Sequence, residues 1–145
     1  MKIFQLAFLL LFSTCGNESY QDQTFTSYFQ QNGSGWMAGD GTISIQLPDG
    51  RNLWFMGDSH VAQIQNAEGE IPCLFNTRNC ILVQDSVDLS KFETLYDSTG
   101  RNSLERQFIK MEGDSTNTYW PGDAIMRRDT AVSYTHLTLP TICSV

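Results

Sequence analysis

The sequence predicts an all-β fold, and three observations carry that prediction. Two runs of alternating apolar and polar residues flank a turn signal, Pro48-Asp49-Gly50. Short strand-like runs separated by Gly, Asp, Asn and Ser fill most of the remaining chain, which is the spacing of a sandwich, barrel or propeller. Trp36-Met-Ala-Gly-Asp40 is echoed by Trp120-Pro-Gly-Asp123, each followed by another strand-like run. Strand-opening motifs that recur in this way are what radially repeated blades produce, so the choice tilts to a propeller. No window of about 12 residues keeps a clean 3.6 periodicity, and no helix is predicted.

The elements follow in chain order. Met1-Lys2 and the apolar run through Phe12 form a charged start and a hydrophobic core too short to span a bilayer, as in a signal peptide. Ser13-Thr14-Cys15-Gly16 resembles a bacterial lipoprotein signal, in which Cys15 is lipidated and becomes the mature N-terminus. Phe12 and Thr14 depart from the residues that motif prefers. Residues 1–15 are therefore expected to be the signal, and the polar residues 16–34 a tether. The expected location is the bacterial cell envelope, with a lipid anchor in the outer membrane as the protein's one link to a membrane.

Next comes the hairpin. In Pro48-Asp49-Gly50 the proline presets the first turn position, aspartate accepts the second, and glycine takes the left-handed one. Counting outward pairs Leu47 with Arg51, Ile45 with Leu53, Ile43 with Phe55 and Asp40 with Asp58. One face then carries Ile43, Ile45, Leu47, Leu53 and Phe55. The other carries Thr42, Ser44, Gln46, Asn52, Trp54 and both acids. Opposed residues have β-carbons about 5 Å apart, and like charges placed there are destabilising. Two carboxylates roughly 5 to 10 Å apart are the working parts of a glycoside hydrolase. Asp40 and Asp58 are the first candidate site residues on this ground.

Residues 57–60 are read as opening a loop, and 66–70 as a turn. Residues 80–84 and 92–96 are predicted strands, 97–103 a loop, and 107–111 a further strand. Cys73 and Cys80 are either a disulfide, which export permits, or two buried small hydrophobes. His60 alone supplies no zinc-ligand spacing near them, so no metal site and no cofactor are expected. A net charge of −7 and a pI near 4.6 argue against nucleic acid and against an anionic membrane surface, both of which need a basic face. They are compatible with a neutral polysaccharide or oligosaccharide.

Gly39-Asp40-Gly-Thr-x-Ser, Leu47-Pro-Asp-Gly-Arg-x-Leu-Trp54, Gly57-Asp58, Arg78-Asn79 and Tyr119-Trp-Pro-Gly-Asp123 together resemble a family of bacterial five-bladed β-propellers. Its characterised branch is the endo-D-arabinanase-type glycoside hydrolases. The resemblance covers roughly residues 35–130, and its specific part is the first hairpin. It implies that residues 35–130 are about two N-terminal blades of a truncated propeller. It also implies that Asp40 and Asp58 are the catalytic carboxylates and that Asp123 is a third acid reaching the same funnel.

Residues 131–142 look like a translated transposase-type sequencing adapter, so residues 131–145 are excluded from fold reasoning and the chain is expected to be an inactive N-terminal fragment. In the mechanism so implied, one acid keeps its proton for the leaving oxygen. The other is ionised, as nucleophile or as base for water. Asp58 is assigned the first role and Asp40 the second, although the sequence leaves the two exchangeable.

Trp54 and Trp120 are candidate sugar-stacking platforms or core residues. His60 either shares the Asp58 proton or has no role. Arg78 and Asn79 either hold a substrate hydroxyl or cap a strand. The leading function is an exported lipoprotein glycoside hydrolase. A non-catalytic glycan-binding or surface-assembly propeller is the alternative, and a small secreted β domain the third.

Overall fold

A computed structural model of the chain describes residues 19–29, 35–62, 74–114 and 116–138. Cys15, Cys73 and the turn at 66–70 lie outside the described residues. The element order is α1 (Gln23–Tyr28), β1 (Trp36–Gly39), β2 (Ile43–Gln46), β3 (Asn52–Met56), β4 (Ser59–Val61), β5 (Cys80–Gln84), β6 (Phe92–Leu95), β7 (Thr118–Arg127) and β8 (Thr130–Thr138). Among the described residues the fold is all-β apart from the six-residue α1.

The central unit is a four-stranded antiparallel sheet in the order β2-β3-β5-β6. Its first hairpin has the register counted from the turn: Ile43 opposite Phe55, Ile45 opposite Leu53, and Gln46 opposite Asn52. The Leu47 amide donates to the Arg51 carbonyl at 2.7 Å, and Gly50 is left-handed at φ 88°. Asp49 accepts from the Arg51 amide at 3.1 Å and pairs with its guanidinium at 2.8 Å, so both residues serve the turn.

Each face of this sheet is covered. Trp54, Met56, Cys80, Leu82 and Phe92 lie on one face with Trp36, Val61 and Phe29. Ile43, Ile45, Leu53, Phe55, Ile81 and Leu95 lie on the other with Ala124 and Ile109. Burial on both faces explains why residues 81–83 of β5 form an unbroken apolar run. Met56 and Leu82, each 1% exposed, contribute roughly 1.5 to 3 kcal/mol apiece.

Five expectations change. Residues 22–29 are not tether. Asp22 caps α1 by accepting from the Phe25 amide, and Phe25 and Phe29 stack on Trp54 at 6.2 and 5.1 Å between ring centroids. Three aromatics within six residues outweigh the polar composition around them. Residues 59–61 form β4, not a loop, because Val61 and Ser59 pair with Trp36 and Gly39 of β1. Residues 107–111 form no strand: Gln107 is fully buried, and side chains bond this segment instead of a neighbouring ladder.

Residues 131–138, set aside from the fold, complete β8, which pairs with β7 from Arg127–Thr130 to Thr118–Thr138. The two tryptophans of the apparent repeat are also unequal. Trp36 is 9% exposed in β1, whereas Trp120 is 42% exposed in β7.

Candidate active site

The hairpin ladder does not end at Ile43 and Phe55. It resumes as β1 with β4, where Gly39 opposes Ser59 and Ala38 opposes His60. Asp40 and Asp58 occupy the join. The Asp40 amide donates to the Asp58 carbonyl at 3.0 Å, and the Gly57 amide donates to the Asp40 carbonyl at 2.8 Å. Asp40 therefore lies across from both Gly57 and Asp58, at an irregular join between the two ladders.

Glycines make this approach feasible. A Cβ on Gly39 would lie 2.5 Å from the Asp58 carbonyl oxygen and 2.6 Å from Ser59 Oγ. A Cβ on Gly57 would lie 2.5 Å from Asp40 Oδ1. Gly41 turns the chain at φ 62°, a left-handed conformation that favours glycine. Buried Ser59 locks the join from below: its hydroxyl donates to the Gly57 carbonyl at 2.8 Å and accepts from Trp36 Nε1 at 3.1 Å.

A second segment braces the same place. Residues 76–79 run alongside residues 58–61. Asn76 accepts from the Val61 amide and donates to its carbonyl, at 2.9 and 2.7 Å. Thr77 and Ser59 exchange both backbone bonds, at 3.0 and 3.1 Å. Arg78 Nη1 donates to both Asp58 oxygens at 3.2 Å. Asn79 is fully buried, donates to the Tyr119 and Ile109 carbonyls at 2.6 and 3.0 Å, and accepts from the Ile109 amide at 2.8 Å.

The two acids stand in different surroundings. Asp40 is exposed. The Asp58 side chain keeps only 14% of its surface in solvent. Burial raises its pKa above the usual carboxylate value, the Arg78 charge and hydrogen bond oppose that rise, and the Asp40 charge adds to it. An opposed pair with one shielded and one open carboxyl is suited to split the tasks of proton donor and anion.

The other predicted residues are distributed unevenly. Arg78 joins the site, but as the partner of Asp58. Asn79 is a correction: its amide bonds are made inside the fold, so it clamps the 107–119 segment and does not face a ligand. Trp54 is likewise structural, packed beneath Phe25 and Phe29 with its Nε1 donating to Gln84 Oε1 at 3.0 Å. His60 lies in β4, 4% exposed, with its ring 4.9 Å from that of Phe75, so burial removes it from the surface that a sugar would touch.

Trp120 stands open on β7 and remains available as a platform. Asp123 sits exposed at the β7 bulge, where its Oδ1 accepts from the Ala124 amide at 2.8 Å. Among the described residues no hydrogen bond or ion pair joins it to Asp40 or Asp58. Cys80 carries a free, buried thiol that burial pushes up to about 12. Among the described residues no three His, Cys, Asp or Glu side chains are grouped to hold a metal ion.

Sequence reading missed the cradle glycines and the Asn76-Thr77 brace. The doubled Gly-Asp at the two strand ends was the available signal for the glycines. The brace left none, since it acts across the fold.

A family model described as a domain of unknown function, DUF5005, matches residues 22–140. The crystal structure of a protein from Bacteroides ovatus ATCC 8483, described as a candidate hydrolase, resembles the chain with a TM-score of 0.63 at 25% identity. The match covers 84% of this chain and 35% of that one, so the chain spans about a third of its solved relative. No curated protein matches the chain.

Proposed function

The chain belongs to the DUF5005 family, and from that premise we propose that the protein is an exported glycoside hydrolase acting on a furanose-containing, arabinan-like polysaccharide. The observation that carries this reading is the opposed pair Asp40 and Asp58 in its glycine cradle, one open and one shielded. The solved relative's description as a hydrolase supports hydrolysis as the reaction class. The four-stranded antiparallel β2-β3-β5-β6 sheet, with β7 laid against β2, supports one propeller blade and the start of a second. Two acids and one arginine leave the site negative, which favours a neutral glycan over a polyanion.

Asp58 is the proton donor in this proposal. Partial burial keeps its carboxyl protonated further up the pH scale than an exposed one. Its proton passes to the glycosidic oxygen as the bond to the sugar breaks. Asp40, open to solvent, is the nucleophile or the base that activates water. Trp120 supplies a stacking face, and Cys15 a lipid anchor that holds the enzyme at the cell envelope.

The test is hydrolysis of arabinans by the full-length protein and by its D40N and D58N variants. Both variants are expected to lose activity while melting no lower than the parent. An active variant removes its residue from the site, and an inactive parent on every arabinan tested removes this substrate class.

A further inference from the structure

We propose that Arg78 is the positioning residue of this site, holding the Asp58 carboxyl in one place and taking up the negative charge left when Asp58 gives away its proton. The inference rests on the diacid reading above. It reassigns Arg78 from the substrate to the acid.

Three observations carry it. First, Arg78 has little freedom of placement. Asn76 clamps the Val61 backbone, Thr77 exchanges bonds with Ser59, Asn79 is buried against Ile109 and Tyr119, and the Arg78 amide donates to the Ser103 carbonyl at 3.2 Å. The flanking residues thus deliver the guanidinium to Asp58, its one acidic partner among the described residues. Second, one nitrogen, Nη1, lies 3.2 Å from both Asp58 oxygens, so the charge is shared whichever oxygen carried the proton. Third, Arg78 Nε is buried and has no hydrogen-bond partner among the described residues. A buried donor left unsatisfied costs stability, and an arginine kept for packing alone would be expected to satisfy it.

The chemistry balances simply. The proton moves from Asp58 to the glycosidic oxygen, the electron pair of the broken C–O bond leaves with the alcohol, and the Asp58 carboxylate remains beside Nη1. Water then supplies the hydroxyl to the sugar and the proton that restores the site. Burial favours the starting acid and Arg78 favours the anion it becomes, so Arg78 acts where charge develops. Among the described residues Arg78 and Asp40 are the charged groups that act on Asp58, and their effects on its carboxylate are opposite.

The experiment follows the Asp58 carboxyl carbon by NMR against pH in full-length protein labelled with carboxyl-13C aspartate. The resonance is identified by its absence in D58N. In R78Q the Asp58 midpoint should move up, and in R78K, which keeps the charge, it should lie between parent and R78Q. kcat on arabinan should fall in R78Q with KM little changed, and the alkaline limb of the pH profile should follow the NMR midpoint.

An unmoved midpoint in R78Q overturns the proposal. So does an R78K midpoint equal to that of R78Q, or a rise in KM at constant kcat, which would return Arg78 to the substrate. A midpoint that moves in a protein that hydrolyses nothing sinks the glycosidase reading while leaving the Arg78–Asp58 coupling intact.

Discussion

Gly57→Ala separates the geometry of the site from the stability of the fold. The new methyl would fall 2.5 Å from Asp40 Oδ1, against 3.4 Å or more in an ordinary contact, so that oxygen must retreat by about 0.9 Å. The Asp40 carbonyl oxygen, at 3.3 Å, needs to give only slightly. Asp40 is exposed, so its side chain can rotate away at little cost. Gly57 has no left-handed φ, and alanine there restricts the unfolded chain, a gain of about 0.4 to 1 kcal/mol that offsets part of the strain.

The fold should therefore stay within about 1 kcal/mol of the parent. The reacting geometry should not. A displacement near 1 Å can cost on the order of 100-fold in rate, which is about 2.7 kcal/mol of transition-state stabilisation.

The assay pairs a urea melt with kcat/KM on arabinan in the full-length protein. A stable variant with parental kcat/KM would refute the placement of Asp40 in the reaction. An unfolded variant would refute the claim that the methyl's one severe clash is with a movable side chain. Gly39→Ala is the control, because its methyl meets the Asp58 backbone carbonyl at 2.5 Å and no rotation relieves it. It should destabilise.

Three further outcomes are expected. Because folding raises the Asp58 pKa above its ordinary 3.8, the stability that Asp58 contributes is present below that value and is lost as pH rises through the folded one. D58N should therefore melt no lower than the parent at pH 7, with its advantage shrinking toward pH 3; an advantage that grows on acidification would reverse the assignment. Asn79→Ala should cost about 3 to 5 kcal/mol in urea denaturation, since it orphans the partly buried Ile109 amide and removes donors from two carbonyls; a loss under about 1 kcal/mol would show that water replaces the clamp. Cys80, with its thiol pushed up to about 12, should resist iodoacetamide at pH 7 until denaturant is added, and rapid native labelling would contradict its burial.

The sequence by itself determined the first hairpin down to its register. Pro48, Asp49 and Gly50 specify the turn, and a strand period of two then assigns every side chain from Ile43 to Phe55 to a face without reference to the rest of the chain. The same count placed Asp40 opposite Asp58. It also made β5 legible, because a strand buried on both faces is apolar throughout. These are local consequences of backbone geometry.

Only the tertiary structure decided what surrounds them. Asp58 is shielded, and Asp40 is not, because residues 76–79, some 20 positions away, pack beside one acid and leave the other open. Arg78 therefore meets a carboxylate where the sequence offered a sugar, and Asn79 spends its amide on Ile109 and Tyr119. Trp54 and His60 were left with two readings each for the same reason. Aromatic and polar side chains take their roles from what covers them, and α1 and Phe75 cover these two from elsewhere in the chain. Turn chemistry and strand period act between neighbours in sequence, whereas burial and charge pairing act between neighbours in space.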